Sequence, residues 1–334
     1  MMIRFEQVDI AYDGKLVVPN LNLSIKEGEF FTLLGPSGCG KSTILRCLAG
    51  FVPITKGRIM LGDSDISRIE AERRGVGIVF QNYALFPHLT IAENVAFGLR
   101  ASGASKADVA GKVAHMLERT GISELAKERP AELSGGQQQR VAISRSLVMG
   151  PKILLMDEPL SNLDVKLRVS MRDEIKRLQQ HIGFTTIYVT HDQEEALSLS
   201  DRIAVLNSGS VEQIGSPEAI YNKPETEFVC HFIGEANRMT PAMLAEIRAD
   251  GGDAPAFVRP EDMSIGSENP NNYRIIATVA NSVFLGALVR YRMQAADGHF
   301  DLVMSGTEER LPVGSQHAVS FQQNALLRPA RRAS

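Results

Sequence analysis

The stretch Phe30-Phe31-Thr32-Leu33-Leu34-Gly35-Pro36-Ser37-Gly38-Cys39-Gly40-Lys41-Ser42-Thr43 decides the reading of this chain. Phe30 to Leu34 is a short apolar run of the length and composition of a strand buried on both faces. It stops at a glycine-rich turn, and a helix follows. Glycines at Gly35, Gly38 and Gly40 free backbone N–H groups to wrap phosphates, while the Lys41 ammonium and the Ser42 hydroxyl meet terminal phosphates and magnesium. Gly35, Pro36, Ser37, Gly38, Cys39, Gly40, Lys41, Ser42 and Thr43 are therefore the candidate phosphate-binding residues, with Ser42 also a candidate metal ligand. The alternative, a glycine-rich turn with no ligand, explains the glycines but not the Lys-Ser pair at these offsets. Cys39 lies beside Lys41 at a helix start, a setting expected to favour thiolate and to make alkylation there block the loop.

A second apolar run, Ile153 to Met156, ends at Asp157 and Glu158. A carboxylate there can reach magnesium while its neighbour takes a proton from an attacking water. From about Ile3 to Phe232, β-rich runs alternate with helical patterns, as expected of an α/β domain with a parallel sheet whose ligands gather at the strands' carboxyl ends. Thr185 to Val189 is a further buried strand, which puts His191 just past its end, placed to orient a water or a terminal phosphate. Leu167, Met171, Ile175 and Leu178 fall on one face of a helix after Asp164. Ile91 to Leu147 lacks strand patterns and reads as a helical insertion, with Val113, Met116 and Leu117 followed by a break at Gly121. Within it, Leu133-Ser134-Gly135-Gly136-Gln137-Gln138-Gln139-Arg140 precedes a helix carrying Val141, Ile143 and Leu147. Ser134, Gly135 and Gly136 thus expose a hydroxyl and amides where the helix dipole favours an anion. A plain serine cap would account for Ser134 but not for the paired glycines.

With 334 residues and 44% hydrophobic content the chain is long enough for two domains. A net charge of −3 has the wrong sign for a protein whose main partner is nucleic acid. The apolar stretches are too short to span a bilayer, and Met1 to Gln7 has no apolar signal core, so a cytoplasmic location is expected. Cys39, Cys47 and Cys230 are scattered, which suits a reducing compartment and neither a disulfide framework nor a zinc site. After about Glu235 the pattern changes. Met239 to Ile247 reads as a short helix, then Phe257 to Ile265, Tyr273 to Phe284, Leu288 to Met293 and His317 to Gln322 read as strands of a small barrel or sandwich. The tail Arg328 to Ser334 reads as a frayed basic end.

Ser134-Gly135-Gly136-Gln137 together with the phosphate loop resembles the signature of ATP-binding-cassette ATPases, and the resemblance covers nearly the whole chain. It implies an α/β P-loop NTPase cassette at residues 1–235, with a helical subdomain at about 85–150, followed by an all-β, oligonucleotide-fold-like regulatory domain at 236–334. It implies ATP and Mg2+ as cofactors, and pairing of two copies head to tail, so that the signature of one copy closes over ATP in the phosphate loop of the other. Tyr12 resembles the aromatic that stacks on adenine. Gln81 resembles the glutamine that senses magnesium and faces the membrane partners, and His191 the histidine that contacts the terminal phosphate. Ser161-Asn162-Leu163-Asp164 resembles the loop passing between the two sites, although alanine is commoner at Asn162.

Val258-Arg259-Pro260-Glu261-Asp262-Met263-Ser264-Ile265 is similar to a motif of the regulatory domain appended to ATPases of bacterial importers. The domain lacks the basic groove and aromatic platform of a single-strand binder, so no nucleic-acid partner is expected and a dimer-contact or regulatory role is. Asn82 to Leu89 resembles the surface that receives transmembrane permease subunits. The chain is thus expected as a peripheral subunit at the cytoplasmic face of the bacterial inner membrane, served indirectly by a periplasmic or extracellular solute-binding protein. Ferric-ion, polyamine, phosphonate and sugar importers are the nearest resemblances. The competing reading is a cassette ATPase acting on nucleic acid or the ribosome, but such chains usually carry two cassettes or a long coiled coil, and neither pattern is present.

Overall fold

The computed structural model describes residues 2–12, 14–249, 255–266, 269 and 271–330. Of the basic tail, residues 331–334 lie outside that set. The chain forms two compact units, Met1–Pro217 and Glu218–Ser334.

The first unit is built on a six-stranded sheet in the order Ser210–Gly215, Arg202–Asn207, Phe30–Leu34, Thr185–Thr190, Ile153–Asp157, Val76–Val79. All neighbours are parallel except the Ser210–Gly215 edge strand. Because strand side chains alternate, these apolar runs feed two cores at once. Phe30, Leu154, Met156 and Tyr188 enter one core with the helices Ile91–Ala101, Lys106–Arg119 and Gly135–Leu147 and with Met171, Ile175 and Leu178 of the helix Val165–Ile182. Phe31, Leu33, Ile153, Leu155, Ile187 and Val189 enter the other, against the helix Lys41–Ala49 and an antiparallel sheet of Lys15–Ile25, Ile3–Tyr12, Lys56–Leu61 and Ser64–Asp65. The expected helical insertion is present, since no strand lies between Ile91 and Leu147. Its helices start at the capping side chains Thr90, Ser105 and Ser134.

In the second unit an antiparallel sheet runs Ser264–Ile265, Gln316–Gln322, Asn272–Phe284, Leu288–Ala295, Gly298–Ser305. Val289, Tyr291, Met293 and Ala295 alternate into its core, while Arg290 and Arg292 face outward. The strand Gly298–Ser305 was not among the expected ones. Its outward His299 and Asp301 dilute the apolar signal, and only hairpin pairing with Leu288–Ala295 reveals it.

The division at Pro217 comes well before the change of sequence pattern near Glu235, and Arg259 explains it. This arginine is 2% exposed; it donates from Nη1 to Cys230 O at 3.1 Å and Glu235 O at 2.9 Å, and from Nη2 to Tyr221 O at 3.1 Å. Its guanidinium also lies 4.2 Å from the Tyr221 ring centroid. One buried fork thereby ties the segment 221–235 to the β domain.

Candidate nucleotide site

Parallel register sets the site. Leu34 is level with Thr190, Asp157 with Val189, and Val79 with Met156. The four residues or loops that follow these strand ends, Gly35 onward, His191, Glu158 and Gln81, therefore emerge along a single sheet edge, where ligands of open α/β sheets bind.

The phosphate loop is preformed. Gly40 has φ +101°, and a Cβ there would stand 2.8 Å from Val18 Cγ2, so only glycine fits. Gly40 also offers no side-chain cap to the helix Lys41–Ala49, unlike the serine, threonine and aspartate caps elsewhere. The first-turn N–H groups at Lys41, Ser42 and Thr43 have no partner one turn back, so they point at the space an anion would take. Ser37 and Gly38 are exposed, and half-buried Pro36 keeps its carbonyl for Lys41. Lys41 is 4% exposed; its Nζ donates to Gly35 O at 2.8 Å and Pro36 O at 2.9 Å, which leaves one ammonium proton for a ligand.

Cys39 corrects the thiolate expectation. It is 3% exposed, and burial pushes its thiol up more than the Lys41 charge and the loop N–H groups pull it down. Its Sγ fills the space behind Gly35, where a Cβ on Gly35 would meet it at 2.7 Å. Cys39 is a packing residue of the loop, and its thiol is not a ready nucleophile.

Ser42 Oγ donates to Asp157 Oδ1 at 2.7 Å, and Asp157 Oδ2 lies 4.0 Å from Arg46 Nη2, a cation the sequence did not flag. Glu158 has φ +46°, a left-handed backbone uncommon for a residue with a side chain. Its N–H donates to Val189 O at 3.0 Å, and its Oε2 lies 3.2 Å from His191 Nδ1. Held strain of this kind clusters at functional sites. Gln81 Nε2 donates to Ser161 Oγ at 3.1 Å, so that its amide oxygen is the group left for a cation. Tyr12 is 53% exposed at the end of its strand, opposite Lys15.

Beyond Gln81 the chain turns through Tyr83 and Ala84, at φ +60° and +48°, and Arg145 holds the turn by donating to Ala84 O at 2.6 Å and Tyr83 O at 2.8 Å. Arg145 was not foreseen, because only the tertiary packing of the helix Gly135–Leu147 brings it there. Tyr83 is buried, while Phe86, Phe97 and Met149 line an adjoining groove.

The signature residues do both jobs weighed above. Ser134 caps its helix: its Oγ accepts from Gln137 N at 3.4 Å, while Gln137 Oε1 accepts from Ser134 N at 2.9 Å. The glycines have a packing reason as well, since a Cβ on Gly135 would stand 2.7 Å from Leu163 Cδ2 and one on Gly136 3.1 Å from Leu167 Cδ1. Ser134 stays exposed with its O–H unspent by the cap. Asp164 caps the helix Val165–Ile182, accepting from Leu167 N at 3.0 Å. Among the described residues no hydrogen bond or ion pair joins Ser134–Gln137 to the phosphate loop of the same chain.

The family described as ABC transporter matches residues 18–161, and the TOBE domain family matches residues 256–328. The Fe(3+) ions import ATP-binding protein of Rhizobium etli is 41% identical over 342 residues, covering 97% of this chain and 96% of that one. The chain belongs to the ABC transporter ATP-binding proteins. This ABC ATPase is also 48% identical over 298 residues to an uncharacterised ABC transporter ATP-binding protein of Sinorhizobium fredii, covering 89% of this chain and 86% of that one. It is 47% identical over 321 residues to the spermidine/putrescine import ATP-binding protein of Thermobifida fusca, with coverage of 88% and 84%. Among solved structures, a dimeric ATP-binding cassette in a post-hydrolysis state bound to ADP and Pi superposes with a TM-score of 0.57 at 33% identity, covering 65% of this chain and 99% of that one. The ABC ATPase thus carries its C-terminal β unit as a TOBE domain, and no helix among its described residues is long and apolar enough to cross a membrane.

Proposed function

We propose that this ATPase binds ATP with magnesium along the edge formed by Gly35–Thr43, Gln81, Asp157, Glu158 and His191. The observation that carries the reading is the parallel register that lines those loops up on one edge. The loop amides and Lys41 take the phosphates, and Tyr12 stacks on the adenine. Ser42, Asp157 and Gln81 would hold the magnesium, since they form an all-oxygen donor set and Ser42 Oγ already meets Asp157 Oδ1 at 2.7 Å. When bound, magnesium neutralises charge on the terminal phosphates. Glu158 accepts the proton of the attacking water, and His191 steadies that carboxylate through Nδ1 and turns its other ring nitrogen to the γ-phosphate.

Two copies pair head to tail, so that Ser134, Gly135, Gly136, Gln137 and Asp164 of one copy complete the site of the other. The unspent Ser134 O–H and the Gly135 and Gly136 amides are the anion donors. The pair serves transmembrane permease subunits, which dock in the groove beside Tyr83, Ala84 and Phe86. Supporting this, Phe97 is 46% and Met149 48% exposed at that groove, a large apolar surface for a chain on its own. The complex imports a small solute of the ferric-ion, polyamine, phosphonate or sugar class, delivered by a solute-binding protein, with this subunit peripheral at the cytoplasmic face of the inner membrane. The cassette domain spans 1–235, its helical subdomain about 85–150, and the regulatory domain 236–334. The test is Glu158→Gln, which keeps the hydrogen bond to His191 but not the basicity. It should retain ATP binding and lower hydrolysis by about two to four orders of magnitude. Near-normal turnover would move the base elsewhere.

A further inference from the structure

The loop 161–164 is gripped at both ends by side chains that no motif names. At its start, Asn162 Nδ2 donates to Gln81 O at 2.9 Å, while Ser161 Oγ accepts from Gln81 Nε2 at 3.1 Å and donates to Glu158 O at 2.9 Å. At its end, Arg168 Nη2 donates to Leu163 O at 3.2 Å and Nη1 to Asp192 Oδ2 at 3.0 Å. Asp192 is the residue after His191. It accepts from Glu195 N at 3.1 Å as a helix cap, and its own N–H donates to Thr190 Oγ1 at 2.9 Å. Thr190 Oγ1 and Tyr188 OH both donate to Glu195 Oε2, at 2.7 and 2.9 Å, deep in the core. The residues on either side of His191 are thus fixed to the core, and Arg168 is the arm that joins them to the loop 161–164.

We propose that Asn162 and Arg168 are positioning residues for hydrolysis. Together they make the loop 161–164 a brace that sets Gln81 on one side of Glu158 and His191 on the other. The proposal rests on the site reading given above. Its physical basis is geometric. Gln81 and His191 follow different strands, and the described bonds between their loops run through this brace. A planar guanidinium spans two acceptors that lie in different directions, a carbonyl and a carboxylate, whereas an ammonium on a flexible stem does not hold such a pair in register. Asn162 is exposed and Arg168 half-buried, so neither carries the core, and loss of their bonds should cost little stability. A misplacement of about 1 Å at a reacting centre can lower a rate roughly a hundredfold.

The experiment uses the full chain. Asn162→Asp keeps the shape but removes the donor, Arg168→Lys keeps the charge but removes the fork, and Arg168→Met, Asp192→Asn and their combination form a double-mutant cycle. For each, kcat and KM for ATP with magnesium and the thermal unfolding midpoint are measured, with Glu158→Gln alongside. We expect kcat to fall about ten- to a hundredfold in Asn162→Asp and Arg168→Lys. KM should stay within about twofold, since a brace acts on the reacting geometry and not on ground-state binding. Midpoints should move by no more than about 2 °C. The doubly substituted chain should be no slower than the slower of its parents. Wild-type kcat in Asn162→Asp and Arg168→Lys, kcat losses that follow the drop in midpoint, or additive losses in the cycle would each overturn the brace. If Glu158→Gln itself hydrolyses normally, the site reading fails; if it is inactive while the brace variants are normal, the brace alone fails.

Discussion

Glu158 carries its side chain on a left-handed backbone, φ +46°, which sets stability against activity at one residue. For a residue with a Cβ that conformation costs roughly 1–2 kcal/mol. Glycine escapes the cost but loses about 0.5–1 kcal/mol relative to alanine through its greater freedom in the unfolded chain. Glu158→Gly and Glu158→Ala both remove the carboxylate and its contact with His191, so those losses cancel in the comparison. The difference leaves glycine between about equal to alanine and about 1.5 kcal/mol more stable, the reverse of the order at ordinary positions. For a unit the size of Met1–Pro217, 1 kcal/mol corresponds to roughly 2–4 °C in the unfolding midpoint. The assay is thermal unfolding of both variants, monitored by a probe of the cassette unit, with single-turnover hydrolysis on the same preparations. Both variants should be hydrolytically dead, with the glycine protein melting at the same temperature or higher. A glycine variant that melts below the alanine variant by the ordinary margin would refute the strained backbone.

A mixed dimer of Lys41→Ala and Gly136→Asp chains should recover single-turnover hydrolysis that neither homodimer has, because one of its two sites combines an intact loop with an intact signature. Rates no higher than either parent, in dimers shown to be paired and to bind ATP, would refute shared sites. The three cysteines should resist iodoacetamide in the native protein: Cys39, Cys47 and Cys230 are 3%, 1% and 0% exposed, and burial raises all three thiols, Cys47 to about 12. Labelling should run at least about a hundredfold slower than in urea, whereas fast, stoichiometric modification of Cys39 with loss of ATP binding would restore the reactive-thiol reading. Arg259→Met should destabilise the unit Glu218–Ser334 by roughly 2–4 kcal/mol, by leaving buried carbonyls without a donor. An unchanged denaturation midpoint for that unit would show that the buried fork contributes nothing.

The sequence determined the elements whose meaning is local. An apolar run that ends in glycines and Lys41-Ser42, or one that ends in Asp157-Glu158, states its chemistry within a few residues, because strand length, turn conformation and phosphate capture all act at that range. The signature was legible for the same reason, and its serine could be read as cap and anion donor alike. What acts across the chain was not legible. Arg145, Arg168 and Arg46 meet their partners only after helices pack, and nothing in their own neighbourhoods distinguishes them from solvated arginines. Cys39 was misread because proximity in sequence to Lys41 suggested a low thiol pKa, while burial, a property of the folded loop, dominates. The unit boundary likewise belongs to tertiary structure: composition changes near Glu235, but a single buried guanidinium reaches back to Tyr221. The strain at Glu158 is the last case. No pattern of residue types announces a positive φ on a glutamate, and the fold sets it by holding the Glu158 N–H on Val189 O and its carboxylate on His191.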